Sequence, residues 1–235
     1  MPELSLCVVI PTLNEEEAVG ELVRRLGEAG AERVVVADGG SSDRTRTLAR
    51  EAGADVVTSG PGRGTQQAAG AAGAREDLLL FLHADTRLGA GALGAIREAF
   101  EEPELGYAGL SQRIEAAGLF YRLVERAANR RTARGVIFGD SGLVCRRELY
   151  ERVGGFAALP LFEDVELSGR LARSAPFRRI EQAELVISAR RWRKEGALRV
   201  TLRNWMLRLG YACGVSPARL ARSYAAHNAP RPGHP

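Results

Sequence analysis

Leu78 to Thr86 reads LLLFLHADT, five apolar residues followed by His83, Ala84 and Asp85. In an extended strand, residues i and i+2 share a face, so His83 and Asp85 are expected to project together from the strand's C-terminal end. That is the edge at which open α/β sheets bind ligands. A further acid, Asp38, follows VVVA, and the pair Glu163 and Asp164 sits in LFEDVEL. Carboxylates at such an edge can hold a metal ion, accept hydrogen bonds from nucleotide N–H and hydroxyl groups, or cap the next helix. Asp38 taken alone fits ordinary Asp-Gly-Gly turn chemistry. Glu163 and Asp164 taken alone fit the first turn of a helix, where negative charge is favoured.

Elements must bring these groups together. SLCVVIP is a near-continuous apolar run, as in a strand covered on both faces. Asn14 and Glu17 have the spacing of a capping pair for a helix carrying Val19, Leu22, Val23 and Leu26 at i, i+3, i+4 and i+7. ERVVVADGGSSD supplies a second strand and a glycine turn, with Ser42 as expected N-cap of the next helix. ADVVTSG is a third strand and LLLFLHADT a fourth. A helix ending near Glu102, a strand over YAGLSQRIEA, and a basic helix over Phe120 to Arg134 follow. GVIFGDSGLVCRREL is expected to be extended around a Gly-Asp-Ser-Gly turn, and PLFEDVELSGRLARS to be a loop entering a helix.

Gly196 to Ala212 places Leu198, Leu202, Trp205, Leu209 and Ala212 at helical spacing beside Arg199, Arg203 and Arg208, an amphipathic helix whose Leu198, Leu202 and Trp205 are expected to be buried. The alternation of strand and helix predicts an α/β fold with a mostly parallel central sheet flanked by helices and an amphipathic C-terminal helical extension. The expected division is a domain over residues 1–188, a basic helical extension over 189–226, and a flexible tail over 227–235.

The chain has 235 residues, 45% of them hydrophobic, which suits one large domain with a real core. Three scattered cysteines, Cys7, Cys145 and Cys213, match neither a disulfide framework nor a zinc site. With no signal peptide or long apolar span apparent, the expected home is the cytoplasm. The net charge of +4 is uneven: Arg190 to Arg222 holds nine basic residues and one acidic one. Such a segment could meet phosphates, an anionic membrane surface or nucleic acid, or be a solvated helix face. A nucleic-acid role has only the arginine count behind it, with no motif or interleaved aromatic platform, and is not expected.

VVIPTLNEE, VVVADGGSSD, LLLFLHADT and LFEDVEL, in this order, resemble the motifs of the inverting family 2 glycosyltransferases. The resemblance covers residues 5 to about 175 and implies a GT-A nucleotide-sugar-binding fold. FGDSGLVCRRELYERVGGF followed by FEDVELSGRL is similar to a bacterial subgroup labelled arsenosugar-biosynthesis glycosyltransferases, which carries H-A-D-T in place of D-A-D-D.

The resemblance implies single displacement at the anomeric carbon of a nucleotide-activated sugar, with transfer to a hydroxyl acceptor that is either small and soluble or lipid-linked. Asp164 would be the general base, with Glu163 beside it as an alternative base or an acceptor-orienting group. Pro11, Thr12, Leu13 and Glu15 would line the base and ribose, and Asp38 would meet the base, uracil preferred and guanine possible in principle. Asp85 would hold Mg²⁺ or Mn²⁺ against the diphosphate. His83 stands where the family's first Asp is usual, so phosphate or sugar contact fits it better than ligation, with Ala84 between the two. Arg63 in GPGRGTQQ would lie near the nucleotide, and Asp140 would face sugar or acceptor.

SARRWRKEG loosely resembles the Q-x-x-R-W element of processive relatives, with Ser188 in place of Gln, so Arg191 and Trp192 would contact diphosphate and acceptor. Peripheral membrane contact through the basic C-terminal helix, or a homodimer through it, are the partner expectations. The competing reading is a catalytically idle GT-A-like module that binds nucleotide or anionic lipid. Nucleotidyl transfer fits less well, because PTLNEE occupies the place of a glycine-rich basic loop after the first strand.

Overall fold

A computed structural model describes residues 3–138, 141–189, 192 and 196–228. Its sheet comprises β1 (Leu6–Thr12), β2 (Arg33–Asp38), β3 (Asp55–Thr58), β4 (Leu78–Phe81), β5 (Thr86–Leu88), β6 (Tyr107–Glu115), β7 (Leu143–Arg146) and β8 (Phe177–Ser188), in the order β3-β2-β1-β4-β7-β6-β8-β5. Pairings β3–β2, β2–β1, β1–β4 and β6–β8 are parallel, while β7 runs antiparallel to both its neighbours and β5 antiparallel to β8. The α/β class expected from the sequence is thus present as a mixed sheet whose first half is wholly parallel.

The helices are α1 (Val19–Glu28), α2 (Thr45–Glu51), α3 (Arg63–Ala71), α4 (Ala92–Phe100), α5 (Leu119–Thr132), α6 (Arg147–Arg152), α7 (Glu163–Ala172), α8 (Ala197–Ala212) and α9 (Pro217–Asn228). Alternation along β1 explains why its run is apolar throughout. Leu6, Val8 and Ile10 face the side covered by Val19, Leu22, Val23 and Leu26 of α1, whereas Cys7 and Val9 face a second cluster with Phe81, Tyr107 and Tyr150.

Two expected helix caps are not used. Helix α1 starts only at Val19 with no side-chain cap, and Asn14 instead adopts φ 55° in the preceding loop. Helix α2 starts at Thr45, whose N–H is accepted by Asp43 rather than by Ser42. Both residues are drawn into the loop-to-loop bonding described below, which satisfies more polar groups than a single cap.

Two larger expectations are also corrected. Strand β4 ends at Phe81, and residues 83–86 form a turn in which the Thr86 N–H and hydroxyl both donate to the His83 carbonyl, at 3.2 and 2.7 Å. His83 and Asp85 therefore do not share a strand face. Helix α8 is present, yet Leu202, Trp205 and Leu209 lie on its exposed side while Val200 and Arg203 are buried. The Leu198 side chain and residues 229–235 of the expected tail lie outside the description. No helix among the described residues is long and apolar enough to cross a membrane.

Candidate active site

Parallel β1, β2 and β4 deliver their C-terminal ends to one edge of the sheet. Thr12 pairs in register with Asp38, and Phe81 with Val9. The loops leaving that edge carry Pro11, Thr12, Leu13 and Glu15 from β1, Asp38 from β2 and His83 to Asp85 from β4. Leu13 is exposed, Pro11 and Glu15 are half-buried, and Thr12 is buried.

The first two loops are stitched to each other. Asn14 donates its N–H to Ser41 Oγ (2.8 Å) and accepts from the Ser42 N–H at Oδ1 (2.9 Å). Glu15 N–H donates to Thr45 Oγ1 (2.8 Å), and Glu16 Oε2 accepts from the Arg44 N–H (2.9 Å). Each bond spans about thirty residues of sequence, so folding fixes both loops together. Such a cradle is preorganised, which limits the ordering cost of binding a flat ligand.

Asp38 forms the floor of this cradle. Its carboxylate is 0% exposed and accepts the N–H groups of Gly40 (3.1 Å) and Ser41 (3.0 Å) and the Ser41 hydroxyl, with Arg46 Nε 3.7 Å away. These donors satisfy the carboxylate's oxygens and offset the cost of burying it.

Sequence reasoning missed Gln66. Buried on α3, it donates from Nε2 to the carbonyls of Thr12 (2.7 Å) and Ala37 (3.0 Å), tying the ends of β1 and β2. Gly39 makes room for it, since a Cβ there would lie 2.9 Å from the Gln66 amide. A polar residue at a core-facing position of an alanine-rich helix was the available signal.

His83 is half-buried, Ala84 buried and Asp85 exposed. Among the described residues no cluster of three or more His, Cys, Asp or Glu could hold a metal. The donor set nevertheless fits Mg²⁺ or Mn²⁺ in a nucleotide complex, because such ions keep waters and use one or two carboxylates plus the ligand's phosphates. Asp85, in reach of solvent at the sheet edge, is the carboxylate available for that.

Glu163 and Asp164 open α7, and α3 brings them to the same region. A Cβ on Gly64 would sit 2.2 Å from the Ala157 carbonyl oxygen and 3.2 Å from Glu163 Cβ, so only glycine lets these chains approach. Burial raises the Glu163 carboxyl above its usual range, and the nearby Arg63 guanidinium pulls it back in part. Arg63 itself is exposed at the start of α3. Asp164 is half-buried, with Oδ1 accepting the Val165 N–H at 2.6 Å.

The residue before this pair, Phe162, holds a left-handed backbone at φ 62°. Its ring stacks on Tyr211 of α8 with centroids 4.5 Å apart, and Phe138 stands edge-on at 6.4 Å. The Arg131 and Arg208 guanidiniums each lie 4.3 Å from the Phe138 ring centroid. Burial, followed by the charges of Glu166 and Asp164, raises the Tyr211 phenol. Trp192 packs edge-on against Tyr121 at 6.3 Å. Asp140 and Arg191 lie outside the described residues.

The sequence pattern described as "Glycosyl transferase family 2" matches residues 7–159. Glycosyltransferase AglJ of Haloferax volcanii is 44% identical over 61 residues, 26% of this chain and 20% of that protein. The chain thus spans about a fifth of the length of that curated relative. Among solved structures, S. aureus TarS 1-349 superposes with a TM-score of 0.64 at 16% identity, over 79% of this chain and 61% of that one. Glucosyl-3-phosphoglycerate synthase from Mycobacterium tuberculosis, in complex with Mn²⁺, uridine diphosphate and glucosyl-3-phosphoglycerate, gives a TM-score of 0.58 at 19% identity, over 78% of this chain and 71% of that one. At these identities the two structures share the fold.

Proposed function

The chain belongs to glycosyl transferase family 2, and from that premise we propose that it transfers a sugar from a nucleotide-sugar donor to a hydroxyl acceptor by single displacement with inversion. The observation that carries this reading is the close packing of Gly64 against Ala157 and Glu163, which sets an acidic pair beside the cradle formed by the β1 and β2 loops. In this reading residues 1–188 carry catalysis and 189–226 cover the acceptor side.

The nucleotide base would lie against Pro11, Thr12 and Leu13 above Asp38, with Glu15 accepting from a ribose hydroxyl. Uridine is the preferred base, supported by the uridine diphosphate and UDP-GlcNAc complexes of the structural neighbours, and guanosine is the alternative. Arg63, His83 and the Ala84 backbone would meet the diphosphate. A bound Mn²⁺ or Mg²⁺, held through Asp85, would supply positive charge for the departing nucleoside diphosphate.

Asp164 would take the acceptor's proton as its oxygen bonds to the anomeric carbon and the bond from that carbon to the phosphate oxygen breaks. Glu163, kept protonated more readily by burial, would orient the acceptor. Asp140, Arg191 and Trp192 would complete the sugar and acceptor side. Ser188 in place of the Gln of the Q-x-x-R-W element supports a non-processive enzyme.

Calorimetric titration with UDP and with GDP, each with and without Mn²⁺, tests the reading. One nucleotide should bind in a metal-dependent manner, and Asp85→Ala should weaken it roughly tenfold or more. No binding under any of these conditions would overturn the transferase and favour the idle module, which His83 in the metal motif otherwise recommends.

A further inference from the structure

Leu202, Trp205, Met206 and Leu209 are 63, 67, 57 and 65% exposed, and their positions i, i+3, i+4 and i+7 line them along one side of α8. The other side carries buried Val200 and Arg203 and sends Tyr211 onto Phe162. Four large apolar groups in one stripe mark an interaction site.

The surrounding charge indicates the partner. From Gly196 to Arg222 the chain has five arginines and no Asp or Glu, with Arg199, Arg219 and Arg222 exposed. Helix α5, which meets α8 across the Phe138 ring through Arg131 and Arg208, adds the exposed Leu119 and Leu123 and carries four arginines against one glutamate. A second copy of the chain pairing through the same patch would set this acid-free hairpin against itself. An anionic bilayer meets both features, with arginines at the phosphates and Trp205 at the boundary between headgroups and acyl chains.

We propose that the outer face of α8, flanked by α5, is a docking surface for an anionic phospholipid bilayer. The inference needs neither donor nor metal and stands apart from the catalytic reading. Docked this way, α8 lies in the interfacial plane, and Tyr211 on its inner side stacks on Phe162, the residue before the Glu163–Asp164 pair.

Co-sedimentation of the full chain with phosphatidylcholine vesicles, alone or with roughly a third phosphatidylglycerol, tests this. Binding to the anionic vesicles should exceed binding to the neutral ones by roughly tenfold and weaken with salt. Trp205→Ser combined with Leu209→Ser should lower it roughly tenfold or more, and Arg219→Glu with Arg222→Glu should lower it by a similar factor. These side chains are exposed, so thermal midpoints and nucleotide binding should stay as in the wild type. Absence of wild-type binding, undiminished binding by both variants, or a wild-type dimer that Trp205→Ser with Leu209→Ser dissociates would overturn the proposal. Calorimetry with UDP and GDP run in parallel separates this outcome from failure of the nucleotide site.

Discussion

Phe162 keeps its φ at 62° while its ring stacks on Tyr211, 4.5 Å between centroids, from a helix nearly fifty residues further along the chain. A left-handed backbone at a bulky residue costs about 1–2 kcal/mol and persists only where its surroundings hold it. Here Tyr211 and Phe138 bracket the ring, and α7 begins at the next residue. Helix α8 therefore reaches the residue that precedes the Glu163–Asp164 pair through this aromatic contact.

Tyr211→Ala removes that bracket. An aromatic pair contributes about 1 kcal/mol beyond its area, comparable to the strain it opposes, so α7 should start less uniformly. Turnover should fall roughly tenfold while the nucleotide Kd stays unchanged, because the ring contact that is lost is with Phe162 at the start of α7. Tyr211→Phe should restore the rate. Kinetics with sugar donors of the nucleotide identified by calorimetry decides the matter, and equal losses in the two variants would point to the phenol rather than the stack.

Asp164→Asn keeps the shape of the side chain and removes its basicity. If it takes the acceptor's proton, transfer should drop by roughly a hundredfold or more, with nucleotide binding retained. Glu163→Gln should cost less, since a carboxyl that is already held towards its neutral form loses little as an amide. Equal transfer by wild type and Asp164→Asn would remove Asp164 from the base role.

Strands β1, β2 and β4 were legible because burial on both faces writes itself as an unbroken apolar run, as over Cys7–Ile10 and Val34–Ala37, whereas β5 and β8, broken by charged and polar residues, carry no such run and were not expected. Helix α1 was legible because all four of its periodic apolar positions are buried. Strand direction has no such signature, so β7 reads as extended but not as antiparallel. Periodicity says that Leu202, Trp205 and Leu209 share a side of α8; it does not say which way that side turns, and here tertiary contacts of Arg203, Arg208 and Tyr211 turn it outward. Asn14 and Ser42 read as helix caps because their bonds to each other cross 28 positions of sequence.

Gln66 and Gly39 should behave as one unit. Gln66→Ala strips the Thr12 and Ala37 carbonyls of a buried donor, a loss of about 2 kcal/mol. Gly39→Ala drives a Cβ to 2.9 Å from the Gln66 amide, and that amide cannot move without breaking the same two bonds. The single substitutions should each destabilise by about that amount, and the double variant by little more than Gln66→Ala alone. Denaturant midpoints of the four proteins measure the coupling; strictly additive losses would mean that Gly39 is required for another reason. Nucleotide affinity should fall in both single variants, since the clamp fixes the two loops of the cradle.

Glu163 makes stability depend on pH in a direction opposite to that of a paired carboxylate. Its unfolded reference lies near 4.5, and burial raises it in the fold, with Arg63 limiting the rise. Below 4.5 both states hold the proton and the residue contributes its full stability. As pH climbs, the unfolded chain ionises first, so that contribution drains away until the folded carboxyl ionises too, and it does not return at higher pH. Glu163→Gln abolishes this drain. The difference in Tm between variant and wild type should therefore shift in favour of the variant between about pH 4 and about pH 8. Arg63→Met in the wild-type background should enlarge the loss at the higher pH, because it removes a charge that favours the ionised form. A Tm difference that stays constant over the range would show that Glu163 titrates as an ordinary exposed acid, and that the Gly64 contact does not enclose it in solution.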